Sequence, residues 1–406
     1  MGAIPDDAIL WELARALGLD PGPVAIRRVP AVALDTLAAY LLPGRMHHWS
    51  LGRRYEHIRR SGVRIHEVVV PGCPATVYLW AANAPVLDLV VRCHALAHAD
   101  FIRHNAYFAG VPQDLTERVT DQAARVRRYA ARYGQEAVEA VLDAALALAL
   151  GAGATAPVLG QATSDDLLGL IAARAPGLQP WQRDLVAMVR AETVPLAAQL
   201  RTAVANEGWA TFWHRRMVRA LELDGEASVE FARVHAMVTG CQPGDLNPYA
   251  LGEALFEAVV ARGGTAAAFR ARQAEDDVSL VRNHCDLAVA VRLGGPEAGT
   301  AEAFGAWRDA LLRRVGWNRL PQIAVESVNH RGRGELYLCH RYDGRELDLD
   351  AAVGALALVA RLWGRPVHLQ TVSAGRSRLL SHDGRSPVEA VLPPGGGERP
   401  WSCGKP

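Results

Sequence analysis

Lysine is almost missing from this 406-residue chain: of its 44 lysines and arginines only Lys405 is a lysine. Such arginine use beside abundant alanine reads as the mark of a GC-rich genome rather than of phosphate recognition. A surplus of either charge sign is missing too. The formal net charge of +1 supplies no overall field to draw in nucleic acid or anionic lipid. Cysteine is sparse and scattered (Cys73, Cys93, Cys241, Cys285, Cys339 and Cys403). With no C-x-x-C pair, a zinc knuckle and a disulfide framework are both excluded, and the thiols read as reduced. No apolar run is long enough to span a bilayer: the most hydrophobic, Val141 to Leu159, holds Asp143 and is mostly alanine and glycine. Asp6 and Asp7 stand where a signal peptide carries positive charge. These absences predict a cytoplasmic protein with no nucleic-acid partner and no membrane span.

What is present is an ordinary globular composition, 50% hydrophobic and 21% charged, in a chain long enough to bury a large core. Helices are predicted at Ala8–Leu17 and Val32–Leu42, with a proline-rich turn between them. Met46 to Glu56 is dense in polar and aromatic groups, with Ser50 placed to cap a helix. Val63–Val70 and Ala75–Trp80 read as a small β-hairpin. Helical periodicity follows over Val86–Phe108 and over Asp114–Leu150, broken at Gly134. A flexible connection is expected at Gly151–Pro157. Further helices are expected from Pro180 through Ala236, over Glu253–Ala261 and over Ala274–Val291. From Trp317 the pattern changes to strand, strand, helix, strand. The expected fold is mainly α with a small β-hairpin near the N-terminus, zincin-like in outline, plus a C-terminal α+β domain of ββαβ order. The expected division is 1–316, 317–375 and a disordered tail at 376–406.

Chemistry concentrates in Asn206-Glu207-Gly208-Trp209-Ala210-Thr211-Phe212-Trp213-His214. At about 100° per residue Glu207 and His214 fall close to two full turns apart, on one helix face. Upstream, His94 and His98 stand at i and i+4, where neighbouring imidazoles can share one ion. A carboxylate beside an apolar Trp/Phe face is costly unless it is paired, protonated or ligating. Two histidines and a carboxylate are a recurring ligand set for zinc or iron. Asp100 and His104 share the neighbouring face of the first helix. The Trp209/Trp213 pair reads as core, and Asn247 and Tyr249 read as fixing a helix-starting turn.

In one half this pattern resembles a gluzincin metallopeptidase site. The resemblance implies His94, His98 and Glu207 as metal ligands with zinc as cofactor. It departs at Ala95, where zincins carry the glutamate that serves as base. If the protein is an enzyme, its catalytic candidates are therefore His214, His104 and Asp100.

The whole chain resembles the stage V sporulation protein R (SpoVR) family. The matching stretches are His48-Trp49-Ser50 with Gly52, His94-x3-His98 with Asp100-Phe101 and Asn105, Asn206 to His214, Asn247-Pro248-Tyr249-Ala250-Leu251-Gly252, Arg282-Asn283-His284, and Leu362-Trp363-Gly364 with Val367. The resemblance implies a link to sporulation and spore cortex formation or, in bacteria that do not sporulate, to stress response. It also implies, as partners, a serine kinase-like ATPase and a von Willebrand factor A-like protein. Two readings follow: a regulatory protein with a metal site, or a metal-dependent hydrolase of amidase or peptidase type acting on cell-wall peptidoglycan.

Overall fold

A computed structural model describes residues 4–40, 48–112, 114–149, 166–240, 245–296 and 301–392. The expectations placed on Met46 and His47, on the connection at Gly151–Pro157 and on the end of the chain from Pro393 lie outside the described residues. The chain divides into two compact units. The first takes Met1–Leu41, Gly52–Thr116 and Ala198–Arg319; the second takes Leu42–Leu51, Glu117–Ala197 and Leu320–Pro406.

In the first unit, strands β1 (Val24–Val29), β2 (Glu67–Val70) and β3 (Ala75–Trp80) form a sheet of order β1-β3-β2. The expected hairpin is β2 and β3, antiparallel, with Val69 opposite Val77. The proline-rich turn expected before it is instead β1, parallel to β3, with Ile26 opposite Val77. Arg27 and Arg28 blur its hydrophobic alternation, and its pairing partner lies some fifty residues away, so the strand has no local signature.

The helix Pro85–His104 starts on a proline at its first turn and is buried continuously from Leu89 to Phe101. A helix buried on every side must satisfy its polar groups internally, which is why its histidines and Asp100 all have partners. Asn105 ends it: its side chain accepts from the Tyr107 backbone and donates to the carbonyls of Arg272 and Glu275. Leu96 and Phe101 pack in one core with Trp209, Phe212 and Trp213 of the helix Ala203–Ala220 and with Leu255 and Phe256 of the helix Pro248–Ala274. The two tryptophans are core, as their spacing predicts.

Several boundaries differ from expectation. The helical run expected through Ala236 breaks after Ala220, where Glu222 takes a positive φ of 47°, and resumes at Gly225–Thr239. Asn247 caps its helix by accepting from the backbone of Tyr249 and Ala250, so helix begins at Pro248, ahead of the expected Glu253. Asp277 supplies the cap that Thr202 does not, accepting from the Ala205 backbone at the start of Ala203–Ala220.

In the second unit, Gly134 (φ 92°) separates the helices Leu115–Tyr133 and Gln135–Leu148, where the break was expected. Its sheet has five strands in the order β4-β5-β6-β7-β8: β4 (Ile323–His330), β5 (Glu335–His340), β6 (Val367–Ser373), β7 (Arg376–His382) and β8 (Pro387–Val391). The helix Leu349–Trp363 makes the crossover that a parallel β5–β6 pair requires. The ββαβ order is present, and two further strands follow where a disordered tail was expected at 376–406. β8 is exposed along its whole length, so it lacks the buried alternation that marks a strand in sequence. The 317–375 segment, from Leu320 on, packs within this second unit. Leu336, Leu338, Leu356 and Val359 share a core with Val141, Leu142 and Ala145 of the helix Gln135–Leu148. The sheet histidines are engaged: His340 with Thr371, His368 with Ser381 and Glu335. Among the described residues no helix is long and apolar enough to cross a membrane.

Candidate metal centre

Helical spacing brings His94 and His98 to one face of Pro85–His104, their ring centroids 4.5 Å apart and edge to face. Glu207 meets them from Ala203–Ala220, its Oε2 lying 3.4 Å from each Nε2. A fourth group arrives from β2. Glu67 Oε1 lies 3.6 Å from His94 Nε2 and 3.9 Å from His98 Nε2. Its ligand atom and those of the two histidines all fall within 4.8 Å of one another.

The outer nitrogens of both rings are held. His98 Nδ1 donates to Asn206 Oδ1 at 2.9 Å, and His94 Nδ1 meets His214 Nδ1 at 3.0 Å. Tyr249 stacks on His94, centroids 5.9 Å apart, and its hydroxyl lies near enough to Glu207 to feel that carboxylate's charge. Both histidines are buried, while the Glu207 and Glu67 side chains keep 27% and 18% exposure. Solvent thus reaches the cluster from its carboxylate side.

The electrostatics reflect two partly buried carboxyls crowded beside two imidazoles. Burial pushes the Glu67 carboxyl above its ordinary pKa, with the two imidazoles opposing and Glu207 reinforcing that rise. Burial would raise Glu207 as well, but the His98 charge and the bonds from both histidines hold it well below the usual carboxylate range. Burial alone would lower His98; the Glu207 charge and hydrogen bond, then Glu67 and Asn206, outweigh it and push that imidazole up to about 9. His214 is held well below its ordinary value by burial and then by His94.

Each imidazole Nε2 therefore lies 3.4 to 3.9 Å from both carboxylates, and the group whose ligand atoms all lie within 4.8 Å of one another is Glu67, His94 and His98. Donors around a tetrahedral zinc, each about 2.0–2.2 Å from it, stand roughly 3.3–3.6 Å from each other. The spacing of Glu67, His94 and His98 fits a single cation, with Glu207 Oε2 3.4 Å from both imidazoles. Glu67 Oε2, buried and without a hydrogen-bond partner, is the kind of orphan that ligation satisfies.

The other candidates land elsewhere. His214 shares a face with Glu207, as predicted, yet it braces His94 from behind and bonds onward through Nε2 to His235 Nδ1 at 3.1 Å. It does not face the shared centre. Asp100 is fully buried and taken up by Trp209 Nε1 (2.9 Å), Arg272 (3.1 Å) and the Asp20 backbone (2.8 Å). His104 bonds the Asp100 carbonyl at 2.9 Å and lines a separate cavity of about 480 Å³ with Arg103, Cys73 and Pro71. Neither Asp100 nor His104 is a partner of the cluster: Asp100 sits about 120–160° around the helix from the two histidines, and His104, about 80° around from His94, lies roughly 15 Å further along the helix axis.

In the second unit, His48 Nδ1 lies 2.7 Å from the Ser50 hydroxyl and its Nε2 3.0 Å from Asp143 Oδ1. Glu67 and Tyr249 were missed as site residues. Glu67 carried one faint signal, a lone carboxylate inside the β-rich run Val63–Val70; Tyr249 carried none beyond its place after Asn247-Pro248.

A family model described as SpoVR like protein matches residues 6–157 and 151–288, and one described as SpoVR-like C-terminal domain matches 321–374. The chain belongs to the SpoVR family. The helix Pro85–His104 and β2 fall inside the 6–157 match, and the helix Ala203–Ala220 inside the 151–288 match. A curated relative, the uncharacterized protein YcgB of Escherichia coli (strain K12), is 25% identical, and the match spans 61% of this chain and 61% of that protein. No solved structure matches, so the expected zincin-like outline gains no structural relative.

Proposed function

We propose that this SpoVR chain is a regulatory metalloprotein whose site takes one divalent transition-metal ion, zinc by its donor set, on His94, His98, Glu207 and Glu67. The carrying observation is the convergence of two imidazole Nε2 atoms and two carboxylate oxygens, with both outer ring nitrogens already held. Mixed imidazole and carboxylate donors suit zinc or iron, and four protein donors make a closed site of the structural kind. Such an ion would supply a cross-link between the two helices and β2, and Lewis acidity if a coordination position opened. In this reading the site stabilises a surface that a kinase-like ATPase and a von Willebrand factor A-like protein bind in the cytoplasm, in sporulation or the stress response. The family resemblance supplies those partners and that setting.

One observation favours the second reading, a metal-dependent hydrolase acting on peptidoglycan. Ala95 leaves the first helix without a base, and Glu67, with its unpartnered Oε2, stands beside the same histidines and could take that role in place of ligation. Fragment release from purified peptidoglycan by wild-type protein and by Glu67→Gln, with metal content measured in parallel, separates the two. The regulatory reading expects no release from wild type, alone or with its partners, and partner binding that weakens when metal is stripped. Release that disappears in Glu67→Gln while metal is retained would make it an enzyme.

A further inference from the structure

Behind His94 the hydrogen bonding continues. His94 Nδ1 meets His214 Nδ1 at 3.0 Å, and His214 Nε2 meets His235 Nδ1 at 3.1 Å. His235 Nε2 then points to Glu253 Oε1 at 3.6 Å. Glu253 is fully buried. Arg215 Nε lies 3.2 Å from its Oε1 and Arg292 Nη2 lies 3.1 Å from its Oε2, and both arginines also pair with Glu257. Three imidazoles thus run in single file between two carboxylate ends, Glu207 with Glu67 at one and Glu253 at the other.

We infer that Glu253 is a positioning residue for the metal site, selecting through His235 and His214 the ring nitrogen that His94 presents to a ligand. A neutral imidazole carries one N–H, and each contact in the row needs one donor and one acceptor. The row therefore has only two orders. In one, every N–H points toward Glu207 and His94 Nε2 carries a proton. In the other, every N–H points toward Glu253 and His94 Nε2 is a bare lone pair.

A cation held at the Nε2 atoms removes the first order and leaves Glu253 as the acceptor at the far end. At 3.6 Å the last contact is longer than a hydrogen bond, so it acts as attraction between the carboxylate oxygen and the His235 N–H. Were the order reversed, two lone pairs would face each other there in a buried setting. Carboxylates behind ligating histidines fix tautomer and orientation in the same way, and their loss costs about 10–100-fold in metal affinity. Here two further histidines are interposed.

The inference rests on the metal-site reading for its ligand, and the test separates the two. Zinc affinity is measured by competition with a chromophoric chelator for full-length wild type, Glu253→Gln and His235→Leu. Histidine ¹⁵N spectra of the zinc-loaded proteins report which ring nitrogen carries the proton. The expected result is His94 protonated at Nδ1 and His214 and His235 at Nε2 in wild type, with affinity reduced about 10-fold or more in both variants. His235 is partly exposed, so its variant stands even if Glu253→Gln fails to fold. Zinc bound by both variants as tightly as by wild type, or His214 protonated at Nδ1 in zinc-loaded wild type, overturns the inference alone. Wild type that takes up no zinc overturns it together with the metal reading.

Discussion

Gly208 and Gly252 meet backbone to backbone where the helices Ala203–Ala220 and Pro248–Ala274 cross: a Cβ on Gly208 would stand 2.2 Å from the Gly252 Cα, and one on Gly252 would stand 2.2 Å from the Val204 carbonyl oxygen. No flexible side chain can yield at that contact. The approach matters to the site because Glu207 precedes Gly208 while Tyr249 lies one turn before Gly252, so the crossing sets the reach of the Tyr249 hydroxyl to Glu207. Replacing Gly252 by alanine is expected to cost at least about 3 kcal/mol, the upper range for overpacking. Chemical denaturation of the purified variant measures it, and a loss below about 1 kcal/mol would show that the helices separate freely.

Asp277 gives a pH dependence with a definite sign. Burial pushes its carboxyl up to about 8, against the bonds from the Ala205 and Val204 backbone. The folded protein holds this proton across a window, from about pH 4 to 8, in which the unfolded chain has released it. Stability contributed by the group is therefore full below that window and falls as pH rises through it, by up to about 1.4 kcal/mol per pH unit. Asp277→Asn cannot ionise. Urea unfolding at pH 5 and at pH 7.5 should show a smaller decline for the variant than for wild type; equal declines would remove Asp277 from the account.

Asp100 and Arg272 form a buried pair 3.1 Å apart that ties the first histidine helix to Pro248–Ala274. Removing the arginine leaves a carboxylate buried and unpaired, so Arg272→Ala is expected to lose about 3–5 kcal/mol. Bound metal per folded molecule should not change, because Asp100 is not a partner of the cluster. A variant of wild-type stability, or one that folds but loses its metal, would contradict this assignment.

The C-terminal sheet should not fold by itself. Its crossover helix shares a core with Val141, Leu142 and Ala145 of Gln135–Leu148, and a fragment starting at residue 317 leaves that face bare. Amide NMR spectra of the fragment are expected to lack dispersion, which adding residues 117–197 in the same polypeptide restores. A well-dispersed spectrum from the short fragment would show that the segment stands alone.

The sequence made local geometry legible and left long-range contact hidden. His94 with His98, and Glu207 with His214, are separations that helical pitch alone converts into shared faces, and both pairs are found so placed. The hairpin, the Gly134 break and the Asn247 cap were legible for the same reason. Glu67 was not, because its relation to the histidines runs through a strand whose register is set by β3. His235 and Glu253 were invisible, since each lies on a different helix and only tertiary packing lines them up behind His94. Asp100 was misread: spacing placed it near the site, while burial against Trp209 and Arg272 determines what it does. β1 and the last two strands went unseen because their pairing, rather than their own hydrophobic pattern, makes them strands.

The central claim is that His94, His98, Glu207 and Glu67 hold one metal ion. Its most direct test is elemental analysis of protein purified without a histidine tag, for wild type and for His98→Ala, Glu207→Ala and Glu67→Ala. The account predicts about one equivalent of a transition metal, zinc foremost, in wild type, with loss in His98→Ala and Glu207→Ala and a weakened site in Glu67→Ala. Wild-type protein that carries no metal and takes up none on exposure to zinc, or variants that retain it in full, would contradict the account.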